Sequence, residues 1–250
     1  MNKNIFQIFL SDFATTLPPI LQTNINFLKS LYPNFSYHLF TSSTLRDWLG
    51  DNYGFEILNA YDSLIPYAFK ADLARYCLLY QLGGWYSDIT VKHQAAIVLG
   101  SNLEFCYFYD HGAGSTSPYR SSHDVMNAFF YSQKGHKILS ITIENILRNV
   151  RDRFYGITPL CVTGPTLFGR AVAQYAPHSS LLMGHFLPLT PSHLRLNKAF
   201  IAQDGTIVAW HKSAWHDPSS SGEDLSSFGL QGTNDYHALW RSRSIYHPTI

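Results

Sequence analysis

"FKADLARYCLLYQLGGWYSDIT", Phe69 to Thr90, decides how this chain reads. Up to Leu82 it has the spacing of a helix. Placed at 100° intervals, Phe69, Leu73, Tyr76 and Tyr80 form an apolar stripe, with Ala71, Leu78 and Leu82 roughly opposite. Lys70 and Gln81 mark the solvent sector. Asp72 and Arg75 fall elsewhere, near Ala68 and Leu79, so both charges face the interior or a cleft. A lone buried charge is costly, so each needs the other or a polar ligand. The pair therefore reads either as an i,i+3 structural ion pair or as a ligand site. Gly83-Gly84 then ends the helix as a positive-φ cap and lets the chain turn into "WYSDI". That strand delivers Asp88 to a strand end, sixteen residues after Asp72. Strand ends are where α/β proteins bind ligands, although a lone acid there also reads as an ordinary turn residue.

Upstream, "IFQIFL" (5–10) reads as a buried strand and 16–32 as a helix with Pro18 and Pro19 in its first turn. "NFSYHLF" (34–40) is a second strand, and "SSTLRDWLGDNYG" a capped helix. Downstream, "LEFCYFYD" (103–110) is a strand ending in an acid, and "HKILSITIENILRNVRDRF" a long amphipathic helix. "TGPTLFGRAVAQYA" is a turn and a helix. "KAFIAQDGTIVAWH" is a hairpin about Asp204-Gly205. Strands alternating with helices predict an α/β layer with a mostly parallel sheet. No repeat or linker divides the chain, which predicts one domain over 1–250. From Asp217 onward the sequence is rich in Ser, Gly and Asp and reads as a mobile tail, with a late helix around Tyr236–Arg241.

Of 250 residues, 46% are hydrophobic and only 14% charged, which excludes a disordered chain. A formal net charge of +1 gives no global pull toward nucleic acid. Aromatics reach 15%, with 16 Tyr and 17 Phe, enough for a core and for stacking on sugars or bases. Cys77, Cys106 and Cys161 have no metal-ligand spacing, and their odd number argues against a disulfide framework, so a reducing cytoplasm is expected. The apolar run before Ser11 is too short for a signal peptide or a membrane span. The expectation is a soluble protein, peripheral at most to the inner face of a membrane.

The 69–90 stretch resembles the core motif of glycosyltransferase family 32, the Gly_transf_sug sugar transferases, whose pattern is roughly "SDxxRYxxLYxxGGxYxDxD". Related glucosylating bacterial toxins share this core. "IFQIFLS", "LYPNFSYHLFTSS", "VTGPTLF" and "AWHKSAW" are similar to further segments of that family and extend the resemblance over most of residues 5–215. The resemblance implies a GT-A fold and transfer of a hexose or N-acetylhexosamine from a nucleotide sugar, UDP-linked, to a glycan or lipid-linked glycan, with retention, in bacterial surface polysaccharide synthesis. Two other readings stay open: an effector that glycosylates a host protein, and an inactive carbohydrate-binding relative.

By the same resemblance, Asp72 and Arg75 contact the donor-sugar hydroxyls, and Asp88 is the first carboxylate of the DxD motif, beside the diphosphate. Ile8 and Phe9, at the end of the first strand, and Tyr86 and Ser87, just before the acid, join the nucleotide-sugar set. His211 and Trp215 belong to a segment that closes over the diphosphate. A divalent cation, Mn²⁺ or Mg²⁺, is implied, with Asp88, Thr90 and His211 as candidate ligands. Thr90 stands where the family has its second acid, and a hydroxyl is the poorer ligand for a hard cation. Asp110 could be recruited in its place, or Lys92, Lys212 and Arg75 could supply positive charge directly.

Overall fold

The computed structural model describes residues 2–11, 16–111, 123–175, 180–189, 198–211 and 235–248. Strand β1 (Asn4–Phe9) leads into helix α1 (Pro19–Leu31), where Pro19 takes the first helical position and its missing N–H costs nothing. Strand β2 (Ser36–Thr41) follows. Thr41 caps helix α2 (Ser42–Tyr53) through a capping box with Thr44. Helices α3 (Phe55–Ser63) and α4 (Tyr67–Leu82) lead to strand β3 (Gly84–Ser87). Then come the short β4 (Lys92–His93), β5 (Phe105–Asp110), β6 (Val125–Ser132), α5 (Lys137–Arg151) and α6 (Pro165–Tyr175). Strands β7 (Leu181–Pro188), β8 (Lys198–Ile201) and β9 (Ile207–Trp210) and helix α7 (Tyr236–Arg241) complete the described chain.

The α/β class expected from the sequence is what forms. Among the described residues, one sheet of nine strands has the order β2-β1-β3-β6-β5-β7-β8-β9-β4. Its parallel pairs are β2-β1-β3 and β5-β7; the others are antiparallel. Because β6 runs against both β3 and β5, strands β1, β3, β5 and β7 all point the same way. Their C-terminal ends share one edge, and Asp88 and Asp110 lie on it. The sheet curls, because β4, which follows the Asp88 turn directly, pairs with β9 at the far end of the strand order. The hairpin predicted over 198–211 is β8–β9.

The sheet has an apolar layer on each face. Tyr76, Phe105, Phe130 and Phe168 pack under α4, α5 and α6, while Trp85, Phe108, Phe129 and Phe200 pack on the other side. The excess of aromatics is thus spent largely in the core, with ring centroids 4.7 Å apart for Trp85 and Phe129 and 5.1 Å for Tyr76 and Phe168. Helix α4 is buried on nearly all sides, so it lacks a polar face of ordinary width.

Gly83 and Gly84 make the predicted turn. Gly83 has φ 66° and ψ 159°, and its N–H donates to the Leu79 carbonyl at 2.9 Å. A Cβ there would sit 2.6 Å from the Lys134 nitrogen, and one on Gly84 (φ 129°) would overlap the Asn4 carbonyl oxygen. Both conformation and close approach therefore demand glycine, and the turn seats β3 directly beside β1.

The segment after 217 divides. Residues 212–234 lie outside the described part, and the end of 235–248 packs on the rest of the molecule. Ile245 and Tyr246 are buried, Tyr246 bridges to Leu64, and the Ile65 N–H donates to the Ile245 carbonyl at 2.9 Å. Local composition could not show this, because the contacts come from residues some 180 positions away. All three cysteines are free and buried. No described helix is long and apolar enough to cross a membrane.

Candidate active site

Asp72 and Arg75 do face inward, with side chains only 10% and 5% exposed, and they form the i,i+3 pair at 3.1 Å. The pair is part of a larger network. The Asp72 Oδ1 also accepts from the Asn127 side-chain amide at 2.8 Å, and its Oδ2 from the Thr163 hydroxyl at 2.7 Å. Burial pushes the Asp72 carboxyl up, and Arg75 and the Thr163 hydrogen bond pull it back toward the ionised form.

Arg75 donates Nη1 to the Asn127 carbonyl at 2.7 Å and Nε to the Ala71 carbonyl at 3.2 Å. Its Nη2 lies between the two acids, 3.1 Å from Asp72 and 3.3 Å from Asp88. The guanidinium also stacks 4.5 Å over the Tyr86 ring. Burial disfavours its charge, but Asp88, Tyr86 and Asp72 outweigh that and raise its pKa, so it stays a cation.

Asp88 is the open member. Its side chain is 34% exposed. Oδ1 accepts from the Tyr86 hydroxyl at 2.7 Å and faces Arg75, which leaves Oδ2 without a partner among the described residues. The backbone holding it is tightly fixed. Its N–H donates to Ala128 at 2.7 Å, its carbonyl accepts from the Val91 N–H at 3.0 Å, and buried Gln7 and Asn24 donate to the carbonyls of Asp88, Ile89 and Val91. Thr90 is buried in this turn. Behind it, the Ser87 hydroxyl and His93 Nε2 are 2.8 Å apart, and burial pushes His93 down to about 3.

The sequence-predicted residues thus fall into three groups. Asp72, Arg75, Tyr86, Ser87, Asp88 and Thr90 are brought together at the sheet edge. Ile8 and Phe9 end β1 alongside them but are buried: Ile8 under α4, Phe9 with Leu21, Ile25 and Ile89. His211 follows β9, and the Lys92–Trp210 pairing places it opposite Val91 in register, which links it to the Thr90 turn by topology. Trp215 and Lys212 lie outside the described residues.

Asp110 ends β5, with His111 next to it in hydrogen-bond contact with His185 at 2.8 Å, farther along the same edge. The sequence reading missed Asn127, whose amide touches both Asp72 and the Tyr76 hydroxyl. Its signal was a polar residue inside the apolar run "VMNAFFYS", as Gln7 was in "IFQIFL".

A divalent cation fits this set only in part. Asp88 offers one carboxylate oxygen, and no group of three acids, histidines or cysteines suited to a metal occurs among the described residues. Such a site suits a cation that arrives with oxygens of its own, as one bound to a diphosphate does.

The fold resembles that of a solved glycosyltransferase. The PaToxG glycosyltransferase superposes with a TM-score of 0.54 over 70% of each chain at 15% identity, and the fold is of the GT-A type. Residues 1–153 match the family model described as "Capsular polysaccharide synthesis protein", and the chain belongs to that family. Its curated relatives include inositol phosphoceramide mannosyltransferases 3 and 2 of Schizosaccharomyces pombe. The first is 32% identical over 54% of this chain, the second 24% over 75%. The chain spans only 35% and 51% of the lengths of those two proteins. An uncharacterized glycosyltransferase of Acanthamoeba polyphaga mimivirus is 24% identical over 84% of this chain and 82% of its own length. The resemblance seen in the opening motif therefore holds at the level of glycosyltransferases.

Proposed function

We propose that this protein is a GT-A glycosyltransferase that moves a hexose or N-acetylhexosamine from a nucleotide sugar to a glycan or lipid-linked glycan. The observation that carries this reading is Arg75 lying between a sealed acid and an open one, at the edge where β1 and β3 end. A polyol can replace water at the open end of such a set, donating to Asp88. Asp88, with one oxygen turned outward, is the group assigned here to meet a diphosphate-bound cation. A divalent cation, Mn²⁺ or Mg²⁺, would neutralise the charge that develops on the leaving nucleoside diphosphate. In that arrangement Asp88 contributes the carboxylate, Thr90 and His211 are the further candidate ligands, and Arg75 keeps the acid pair ionised and oriented.

The relatives' names support sugar transfer in general. UDP as the nucleotide, retention at the anomeric carbon and a surface polysaccharide as product follow from the motif resemblance. The mannosyl transfer in the yeast names widens the donor set to be tested.

Incubation with a panel of UDP- and GDP-sugars, with and without Mn²⁺, and detection of released nucleoside diphosphate tests this. Release of one diphosphate from one sugar is expected. Tight binding of a sugar or glycan without any release would instead mark an inactive carbohydrate-binding relative.

A further inference from the structure

Half of the arginines in the chain gather in two short segments. Arg148 and Arg151 lie in the last turn of α5 and Arg153 just beyond it; Arg241 ends α7 and Arg243 follows. All five are exposed; the acids beside them are Glu144, Asp152, which pairs with Arg151 at 3.0 Å, and Asp235, which caps α7. Five cations against three acids are a local positive excess in a molecule of net charge +1.

The two segments are fastened to each other. Arg153 Nη2 donates to the His247 carbonyl at 2.7 Å, the Tyr155 hydroxyl to the Arg243 carbonyl at 2.6 Å, and Trp240 Nε1 to the Tyr155 carbonyl at 2.7 Å. The Arg243 guanidinium lies 4.5 Å over the Tyr155 ring and that of Arg153 5.7 Å over Tyr246. Arg153 (φ 48°) and Arg243 (φ 56°) are the non-glycine residues with positive φ among those described. Unfavourable backbone held at both points by surrounding contacts is how a surface is kept in a required shape.

Between the arginines two large apolar side chains face water: Phe154, 39% exposed, and Ile157, 58% exposed. Exposed cations around exposed apolar side chains are the composition of a surface that rests on an anionic bilayer, with the apolar groups dipping into the interface. The position is equally specific. Strand β6 runs away from the edge that carries Asp88, so α5 runs back toward it, and its 15 residues cover ~22 Å. The chain then reaches Thr163, which holds Asp72.

We propose that this face docks the protein on an anionic lipid surface and so presents the site to an acceptor carried by lipid. The role of the face rests on the transferase reading; the binding itself does not.

Co-flotation with phosphatidylcholine vesicles, with and without phosphatidylserine, tests it. Binding should be at least ~10-fold stronger with the anionic lipid and fall as salt is raised. The triple variant Arg148→Glu/Arg151→Glu/Arg241→Glu should lose at least ~10-fold of that binding. Ile157→Ser should weaken it by less; both variants should stay folded, and neither should change nucleoside diphosphate release in solution. Equal binding to neutral vesicles, no loss in the triple variant, or equally tight capture by a soluble oligonucleotide would overturn the proposal. Vesicle binding is read without turnover, so failure here is distinct from failure of the transferase reading.

Discussion

Asp72 and Asp88 share one arginine and otherwise have little in common. Asp72 sits in the second turn of a helix buried on nearly all sides, and both its oxygens accept from the protein. Asp88 sits at a strand end, a third exposed, with one oxygen turned outward. A carboxylate saturated by buried donors holds structure in place, and its loss leaves those donors unpaired. A carboxylate held by its backbone and left open on one side is available to a ligand. Two residues of one type therefore differ, one closed off by the protein and one open to a ligand, according to what surrounds them.

The sharpest break of this comparison is Arg75→Ala. It leaves Asp72 buried without its counter-charge, so a loss of ~3–5 kcal/mol is expected in urea unfolding, together with loss of activity. Unchanged stability would show that Asp72 does not depend on the pair and that the sealed half of the comparison is wrong.

Asp88→Asn should do the reverse. Activity should fall by at least ~10²-fold, the scale for one preorganised electrostatic group, with a smaller loss of stability than in Arg75→Ala, because Arg75 keeps Asp72 as its counter-charge. Full turnover by a well-folded variant would remove Asp88 from the site.

His93, behind Ser87, extends the comparison inward. Burial depresses its pKa to about 3, below the ordinary histidine value. The unfolded chain therefore takes up a proton that the folded one refuses. The stability this neutral ring contributes is complete above about pH 6.5 and is lost as pH falls from there toward 3. At pH 5 the loss from this group is about 2 kcal/mol. Wild type should lose that much more stability between pH 7 and 5 than His93→Gln; parallel curves would mean the ring is not buried as described.

Thr90→Asp has the smallest expected effect on turnover, although the new carboxylate enters a buried position and costs some stability. It adds a second acid to the Asp88 turn, so Mn²⁺ should bind more tightly in the absence of nucleotide, while wild type binds it mainly together with UDP. Calorimetric titration of both proteins distinguishes these cases. Tight metal binding by wild type alone would point to ligands beyond Asp88.

By itself, the sequence determined the local elements and the central motif. The 3.6-residue spacing turned Asp72 and Arg75 inward, Gly83-Gly84 required the turn, and the hairpin at 198–211 carried its own signal, because each depends on residues close together in the chain. Only the tertiary structure decided the partners. Asn127 reaches Asp72 from a strand 55 residues away and Thr163 from a turn 91 residues away, and no local pattern announces such pairings. Strands β4, β6 and β7 and helix α3 escaped the sequence reading: the strands are defined by pairing across the sheet, and α3 by packing beside α2 and α4. Packing also fixed residues 235–248 against Leu64 and Ile65, because burial of Ile245 and Tyr246 outweighs the flexibility that composition alone implies. The split between a sealed acid and an open one was decided there as well, since exposure is a property of what the rest of the chain places alongside.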